Sequence, residues 1–205
     1  MVHGDDSGLM LPPHIAPVQV VIVPIRQDEE SVKLIADGLM ERLLSAGIRV
    51  KADFSDKRPG FKFAETEMRG VPLRIEIGPK DAAEGRCVFA RRDTGEKIPV
   101  PLDEAESRAK EILETIQQDM LLKAKSFLAE HISDARNYDE FKDAVENKPG
   151  FIRGMWCGDV ACEEKIKEDT TATSRCMPFD QEQISDKCVC CGRSARKLVY
   201  WGKAY

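Results

Sequence analysis

Four cysteines carry the strongest chemistry legible in this chain of 205 residues. Cys157 and Cys162 stand five positions apart, Cys188 and Cys191 three apart, and twenty-five residues separate the two pairs. Thiolates from two such turns suit a closed tetrahedral Cys₄ site for a structural zinc, which leaves no position open for a catalytic water. Within Cys188-Val189-Cys190-Cys191 the outer pair is the better choice. A C-x-x-C turn aims both sulfurs at one point, whereas cysteines next to one another in an extended chain point to opposite faces. Cys190 and Cys176 are then spare, and Cys176, between Arg175 and Met177, reads as a small buried apolar residue. Buried free thiols and redox chemistry are the alternatives to a metal.

A second group is an aromatic with charges of both signs: Phe63, Glu67, Arg74 and Lys97. Such a set can stack one unpaired base and serve the edges of others, although a solvated mixed-charge face is the plainer reading of the spacing. Gly78-Pro79-Lys80-Asp81 reads as a turn that places a cation and an anion just past a strand, where ligands gather in α/β folds. His3, His14 and His131 share no spacing, and no Ser-His-Asp or Cys-His arrangement is legible.

The elements that must position these residues follow from periodicity. Met1 to Pro17 reads as a strand end running into a proline-stiffened linker. Gln19 to Val23 is a buried strand, apolar from Val20 to Val23 and closed by Pro24. A helix follows from about Asp28 to Ala46, with Leu34, Ile35, Leu39, Leu43 and Leu44 inward and Gly47 as its cap. Ile48 to Asp53 is the next strand. Pro59 starts a second helix, with Phe61, Phe63 and Met68 available to its inner face and Gly70 to end it. Val71 to Ile77 alternates as a half-exposed strand, with Arg74 and Glu76 on its charged face. Arg86 to Arg91 and Lys97 to Pro101 form a hairpin around Asp93-Thr94-Gly95. The order β-α-β-α-β-β-β is a mixed α/β domain.

Asp103 and Glu106 make a capping box for a long helix reaching about His131, with Ile112, Ile116, Met120, Leu121 and Leu128 as its buried stripe. A shorter helix spans Tyr138 to Glu146. The last part carries six of the seven cysteines and a modest core of Phe151, Ile152, Met155, Trp156, Val199 and Trp201, so a metal cross-link is expected to hold it. The expected domains are 1–16, 17–118 and 119–205. The fold class is α/β throughout: a mixed-sheet domain, then a smaller α/β domain with the zinc site.

Composition narrows the classes. Hydrophobic residues are 42% and charged residues 33%, which excludes a disordered tail, a fibre or a coiled coil as the main body. No apolar run approaches the roughly 20 residues of a membrane span. Nothing near Met1 reads as a signal peptide, and seven cysteines without one point to a reducing, cytoplasmic setting. The net charge of −5 is unevenly spread. Residues 49–97 hold twelve bases and nine acids, a net of +3, and residues 103–146 hold six bases and twelve acids, a net of −6. A basic middle can present one positive face.

Taken together, the motifs resemble a family. Lys62-Phe63, Glu67, Gly70-Val71-Pro72, Arg74 and Glu76-Ile77-Gly78-Pro79-Lys80-Asp81 are similar to the anticodon-binding domain of class II aminoacyl-tRNA synthetases. Thr170-Thr171-Ala172-Thr173-Ser174-Arg175-Cys176-Met177-Pro178-Phe179, the spaced cysteines and Gly202-Lys203-Ala204-Tyr205 resemble prolyl-tRNA synthetases of the archaeal and eukaryotic type. Met1 to Leu9 is similar to the strand just past the third class II motif of their catalytic domain, so residues 1–16 read as a remnant of that domain and a linker.

The resemblance implies proline tRNA as partner, with Phe63, Glu67, Arg74, Lys80, Asp81 and Lys97 around its anticodon. It implies zinc on Cys157, Cys162, Cys188 and Cys191, and a carboxylate of Tyr205 that reaches toward the catalytic site. It also implies a homodimer as the full enzyme, with ATP and Mg²⁺ bound in a catalytic domain whose motifs are absent here. This chain alone is therefore expected to be inactive. The alternative is a free-standing anticodon-type RNA-binding module without synthetase activity.

Overall fold

In a computed structural model that describes residues 3–26 and 28–203, Gly4–Asp5 (β1) and Gly8–Leu9 (β2) pair as a short antiparallel hairpin. Pro12 then accepts hydrogen bonds from the Ile15 and Ala16 amides, so the stretch expected as an extended linker is a hairpin followed by a turn. Val20–Pro24 (β3), Val50–Ala52 (β4), Leu73–Ile77 (β5), Arg86–Arg91 (β6) and Lys97–Pro101 (β7) build one sheet in the order β4-β3-β5-β6-β7. β3 runs parallel to both β4 and β5, while β5, β6 and β7 are successively antiparallel. The apolar run Val20–Val23 suits the centre of such a sheet, where both faces are covered.

The helices of this unit are Glu30–Ser45 (α1), Pro59–Met68 (α2), Pro79–Ala83 (α3) and the start of Ala105–Glu130 (α4). α1 buries Val32, Ala36, Leu39 and Leu43, while Leu34 and Leu44 of the expected inner face are exposed. The sequence is apolar on more than one side, and the 32-36-39-43 row is the one that meets the sheet. Gly47 takes φ +81° after the helix, in the left-handed region where a residue with a side chain is strained. In α4 the buried stripe runs from Ala105 to Ile116, with Met120 partly buried, whereas Leu121 and Leu128 are exposed. The apolar cluster that α4 covers ends there.

Three further expectations are corrected by polar groups. α2 buries Lys62 and Thr66 and exposes Phe61 and Met68. Burial is tolerated because Lys62 Nζ donates to the Asp53 carbonyl at 2.8 Å and Thr66 Oγ1 to the Lys62 carbonyl at 2.7 Å. β5 is buried on both faces, Arg74 and Glu76 included, rather than half-exposed. Gly78–Asp81 is the start of helix α3, not a free turn, and Asp81 Oδ2 accepts from the Gly78 amide.

The chain divides into two units, 1–122 and 123–205, and the division falls inside α4. The second unit holds Ile132–Ala135 (β8), Tyr138–Asn147 (α5), Phe151–Trp156 (β9), Val160–Thr170 (α6), Ala172–Cys176 (β10) and Lys197–Lys203 (β11). Its four-stranded sheet has the order β10-β11-β9-β8, with β8 parallel to β9 through the α5 crossover and the other pairs antiparallel. Trp201, fully buried, meets Phe141 edge to face with centroids 5.9 Å apart, among Ile152, Ile166 and Val199. Phe151, expected in this core, is exposed. Both units are mixed α/β, and no helix among the described residues is long and apolar enough to cross a membrane.

Candidate functional site

Sheet register brings one set of side chains together. Arg74 on β5 is paired with Ala90 on β6, and Ala90 with Lys97 on β7, so the two cations occupy one row across three strands with only a methyl between them. α2 supplies Phe63 and Glu67, one helical turn apart on one face. The Arg74 guanidinium lies 4.3 Å from the Phe63 ring centroid, and Lys97 Nζ lies 5.4 Å from it. Arg74 Nη1 donates to Glu67 Oε1 at 2.8 Å and its Nε to Glu76 Oε1 at 3.0 Å, while Lys97 Nζ donates to Glu76 Oε2 at 2.9 Å.

Exposure separates the roles within this set. Arg74 and Glu76 side chains are each only 8% exposed, while Glu67 is 38% and Lys97 52% exposed. Phe63 is half-buried. Arg74 is therefore the hub behind the surface groups rather than one of them. Glu76 was absent from the sequence-based site. The signal for it was present: Arg74 and Glu76 are two apart on a strand, share a face and pair directly.

Lys80 and Asp81 join no such set. Lys80 is exposed and its Nζ lies 4.0 Å from Glu84; Asp81 holds the Gly78 amide and receives Arg86 Nε at 3.2 Å. A cavity of about 350 Å³ opens beside Glu67, Arg74 and Lys97, and Asp5, Arg91 and Arg92 also line it. Arg91 is bound by Asp93 and Asp119 at 2.7 Å each. Arg92 forks onto both oxygens of Asp5, at 2.6 and 2.9 Å, and holds the Asp5 carboxyl down at about 2.

The second site is the cysteine cluster. Cys157 follows β9, and Cys162 lies in the first turn of α6, whose start is capped by the Asp159 carboxylate on the Ala161 amide at 3.0 Å. Cys188 and Cys191 sit on a tight loop in which the Gly192 amide donates to the Cys188 carbonyl at 2.9 Å. The four sulfurs lie within 4.8 Å of one another, with Cys157 3.7 Å from Cys162 and 3.9 Å from Cys191. A zinc tetrahedron with bonds of about 2.3 Å has sulfur–sulfur edges of about 3.8 Å, whereas a disulfide closes to about 2.05 Å. The donor set fits a metal.

Met155, Ala195 and Leu198 pack around Cys162 and Cys188 and raise their thiols by burial. Arg193, 3.3 Å from Cys191 and paired with Asp159 at 2.6 Å, lowers the exposed Cys191 thiol to about 6. Cys190 is half-buried and stands outside the four. Cys176 is exposed on β10, not buried as expected, because the end of that strand faces no core cluster. Tyr205 lies outside the described residues.

Comparison with known proteins places these units. Residues 19–112 match the family described as an anticodon binding domain, and residues 138–205 match the prolyl-tRNA synthetase C-terminal family. Among curated relatives, the proline–tRNA ligase of Agathobacter rectalis is 64% identical over 206 residues, covering 100% of this chain and 43% of that protein. That of Lachnospira eligens is 59% identical over 205 residues, with the same coverage. A crystal structure of prolyl-tRNA synthetase from Cryptosporidium parvum, complexed with L-proline and AMP, superposes with a TM-score of 0.92 at 38% identity. It covers 100% of this chain and 44% of that one.

The first unit is thus an anticodon-binding domain of the aminoacyl-tRNA synthetase type. The chain belongs to the prolyl-tRNA synthetase family, as the C-terminal region of such a ligase. It spans less than half the length of the curated relatives it matches.

Proposed function

We propose that the first unit reads the anticodon of proline tRNA and that the second is held together by a structural zinc on Cys157, Cys162, Cys188 and Cys191. The observation that carries the reading is the meeting of Phe63, Glu67 and Lys97 over the buried Arg74–Glu76 pair, inside the segment matched to anticodon-binding domains. Phe63 offers a ring for an unstacked base. The Glu67 carboxylate can accept from the N1 and N2 protons of a guanine, and Lys97 can donate to an O6. Arg74, buried and paired with two glutamates, holds these groups rather than the base. Lys80 and Asp81, at the N-terminal end of α3, serve the edge of the same RNA surface.

Zinc, when bound, supplies a cross-link between the β9–α6 turn and the 188–191 loop, and the chain supplies four thiolates for it. Within the full enzyme, which works in the cytoplasm as a homodimer, the chain serves ATP-dependent attachment of proline to its tRNA. ATP, Mg²⁺ and proline belong to the part of the relatives that this chain does not span.

Titration with proline tRNA and with a transcript whose anticodon guanine is replaced tests the reading. Glu67→Ala is expected to cost roughly 1–3 kcal/mol and to relax discrimination at one base. Lys33→Ala is expected to act only through charge, an effect that vanishes at high salt. Equal losses for the two variants overturn base readout by Glu67. Proline-dependent exchange of pyrophosphate into ATP is expected to stay at the no-enzyme blank for this chain, and exchange well above it overturns the division of labour.

A further inference from the structure

The N-terminal hairpin sits on the end of α2 that carries Glu67, and the fit is too close to be incidental. A Cβ added to Gly8 would lie 2.4 Å from Met68 Cα, and one added to Gly70 would lie 2.6 Å from Leu9 Cβ. The Leu11 amide donates to the Gly70 carbonyl at 3.1 Å. Backbone meets backbone here, immediately after Glu67, and Gly8 can do so only by adopting φ +132°.

Arg92 ties the same two segments together from below. Its side chain is 7% exposed, its Nε donates to the Glu67 carbonyl at 3.0 Å, and its own amide donates to the Pro72 carbonyl at 2.9 Å. The remaining two nitrogens fork onto Asp5 of the hairpin. One guanidinium therefore joins the hairpin to the backbone of the residue that accepts the base. Asp5, Glu67 and Lys97 also line one cavity. A hairpin with two residues in each strand has little stability of its own. Its position depends on these ties.

We propose that the β1–β2 hairpin is a clamp on the reading end of α2, and that Asp5 and Arg92 are positioning residues that set the Glu67 carboxylate for discrimination between anticodon bases. The clamp rests on the reading of Glu67 proposed above. Neither residue needs to touch RNA. Their effect passes through the Glu67 backbone and is expressed in specificity more than in total affinity.

The test is a double-mutant cycle on the purified chain. The readout is the ratio of dissociation constants for the anticodon-substituted transcript and the native proline tRNA. Asp5→Asn is expected to lower that ratio about three- to ten-fold, and to have no further effect in a Glu67→Ala background. Asp5→Glu is expected to restore part of it. Gly8→Ala, which displaces the hairpin while leaving the Asp5 and Arg92 side chains chemically unchanged, is expected to lower the ratio as Asp5→Asn does. The clamp is overturned if Glu67→Ala abolishes discrimination while Asp5→Asn and Gly8→Ala leave the ratio within two-fold, or if their effects add to that of Glu67→Ala. If Glu67→Ala itself leaves the ratio intact, the reading of Glu67 fails and the clamp with it.

Discussion

Stripping the metal from the purified chain is expected to unfold the second unit and leave the first one folded. Structural zinc contributes on the order of 10 kcal/mol to the folding of a small site at neutral pH, more than the whole stability of many domains. Among the described residues the second unit has two modest clusters, one around Trp201 and one around the cysteines, and Cys162 and Cys188 are members of the latter. Without a metal, nothing ties the β9–α6 turn to the 188–191 loop at this cluster, whose four sulfurs lie within 4.8 Å of one another. Both tryptophans, Trp156 and Trp201, lie in this unit, so their fluorescence reports on it alone. Elemental analysis should give one zinc per chain. Chelation, Cys157→Ser and Cys188→Ser should each shift the tryptophan emission toward that of the unfolded chain. Cys176→Ser and Cys190→Ser should keep the metal. Loss of zinc from Cys190→Ser with retention in Cys191→Ser would reverse the ligand assignment, and unchanged emission after complete chelation would remove the metal's structural role.

Replacing Arg74 with Met should destabilise the first unit by about 3–5 kcal/mol, because it leaves Glu76 buried without its cation. Arg74 also supports Phe63 through its guanidinium and fixes Glu67 at 2.8 Å, so weakened tRNA binding should accompany the loss. Lys97 still reaches Glu76 from the rim, which keeps the loss toward the lower end of that range. Arg74→Met with Glu76→Gln should regain part of the stability, since a neutral amide is far cheaper to bury than a carboxylate. It should not regain discrimination, because Glu67 has lost its partner. Urea midpoints of the first unit measure the first effect and tRNA titration the second. A loss below about 1 kcal/mol for Arg74→Met would mean that Glu76 relaxes to water, and the buried hub would then be unnecessary.

Most elements up to α5 were legible from local rules, whereas α3, β9, α6, β10 and β11 were not. Gln19–Val23, the Pro59 start of α2, the 86–101 hairpin and the start of α4 just after Asp103 follow from periodicity, proline geometry and turn chemistry, which act over a few residues. In place of the expected capping box, Asp103 Oδ1 accepts from the Glu104 amide and Glu106 pairs with Lys110. The 157/162 and 188/191 spacing likewise carries the cluster, because two short turns already aim their sulfurs. β8 escaped notice because four residues directly after a long helix show too little periodicity to read.

Which face an element buries was decided by what packed against it. α1 offers apolar residues on more than one side, and only the sheet selects Val32, Ala36, Leu39 and Leu43 over Leu34 and Leu44. Lys62, Arg74 and Glu76 read as solvent-facing by type. They are buried because each meets a partner brought by another strand or by a loop, and a paired charge can leave water where a lone one cannot. The residue types and spacings of Phe63, Glu67, Arg74 and Lys97 name the chemistry. Register alone, placing Arg74, Ala90 and Lys97 in one row, decides which of them holds and which is left at the surface.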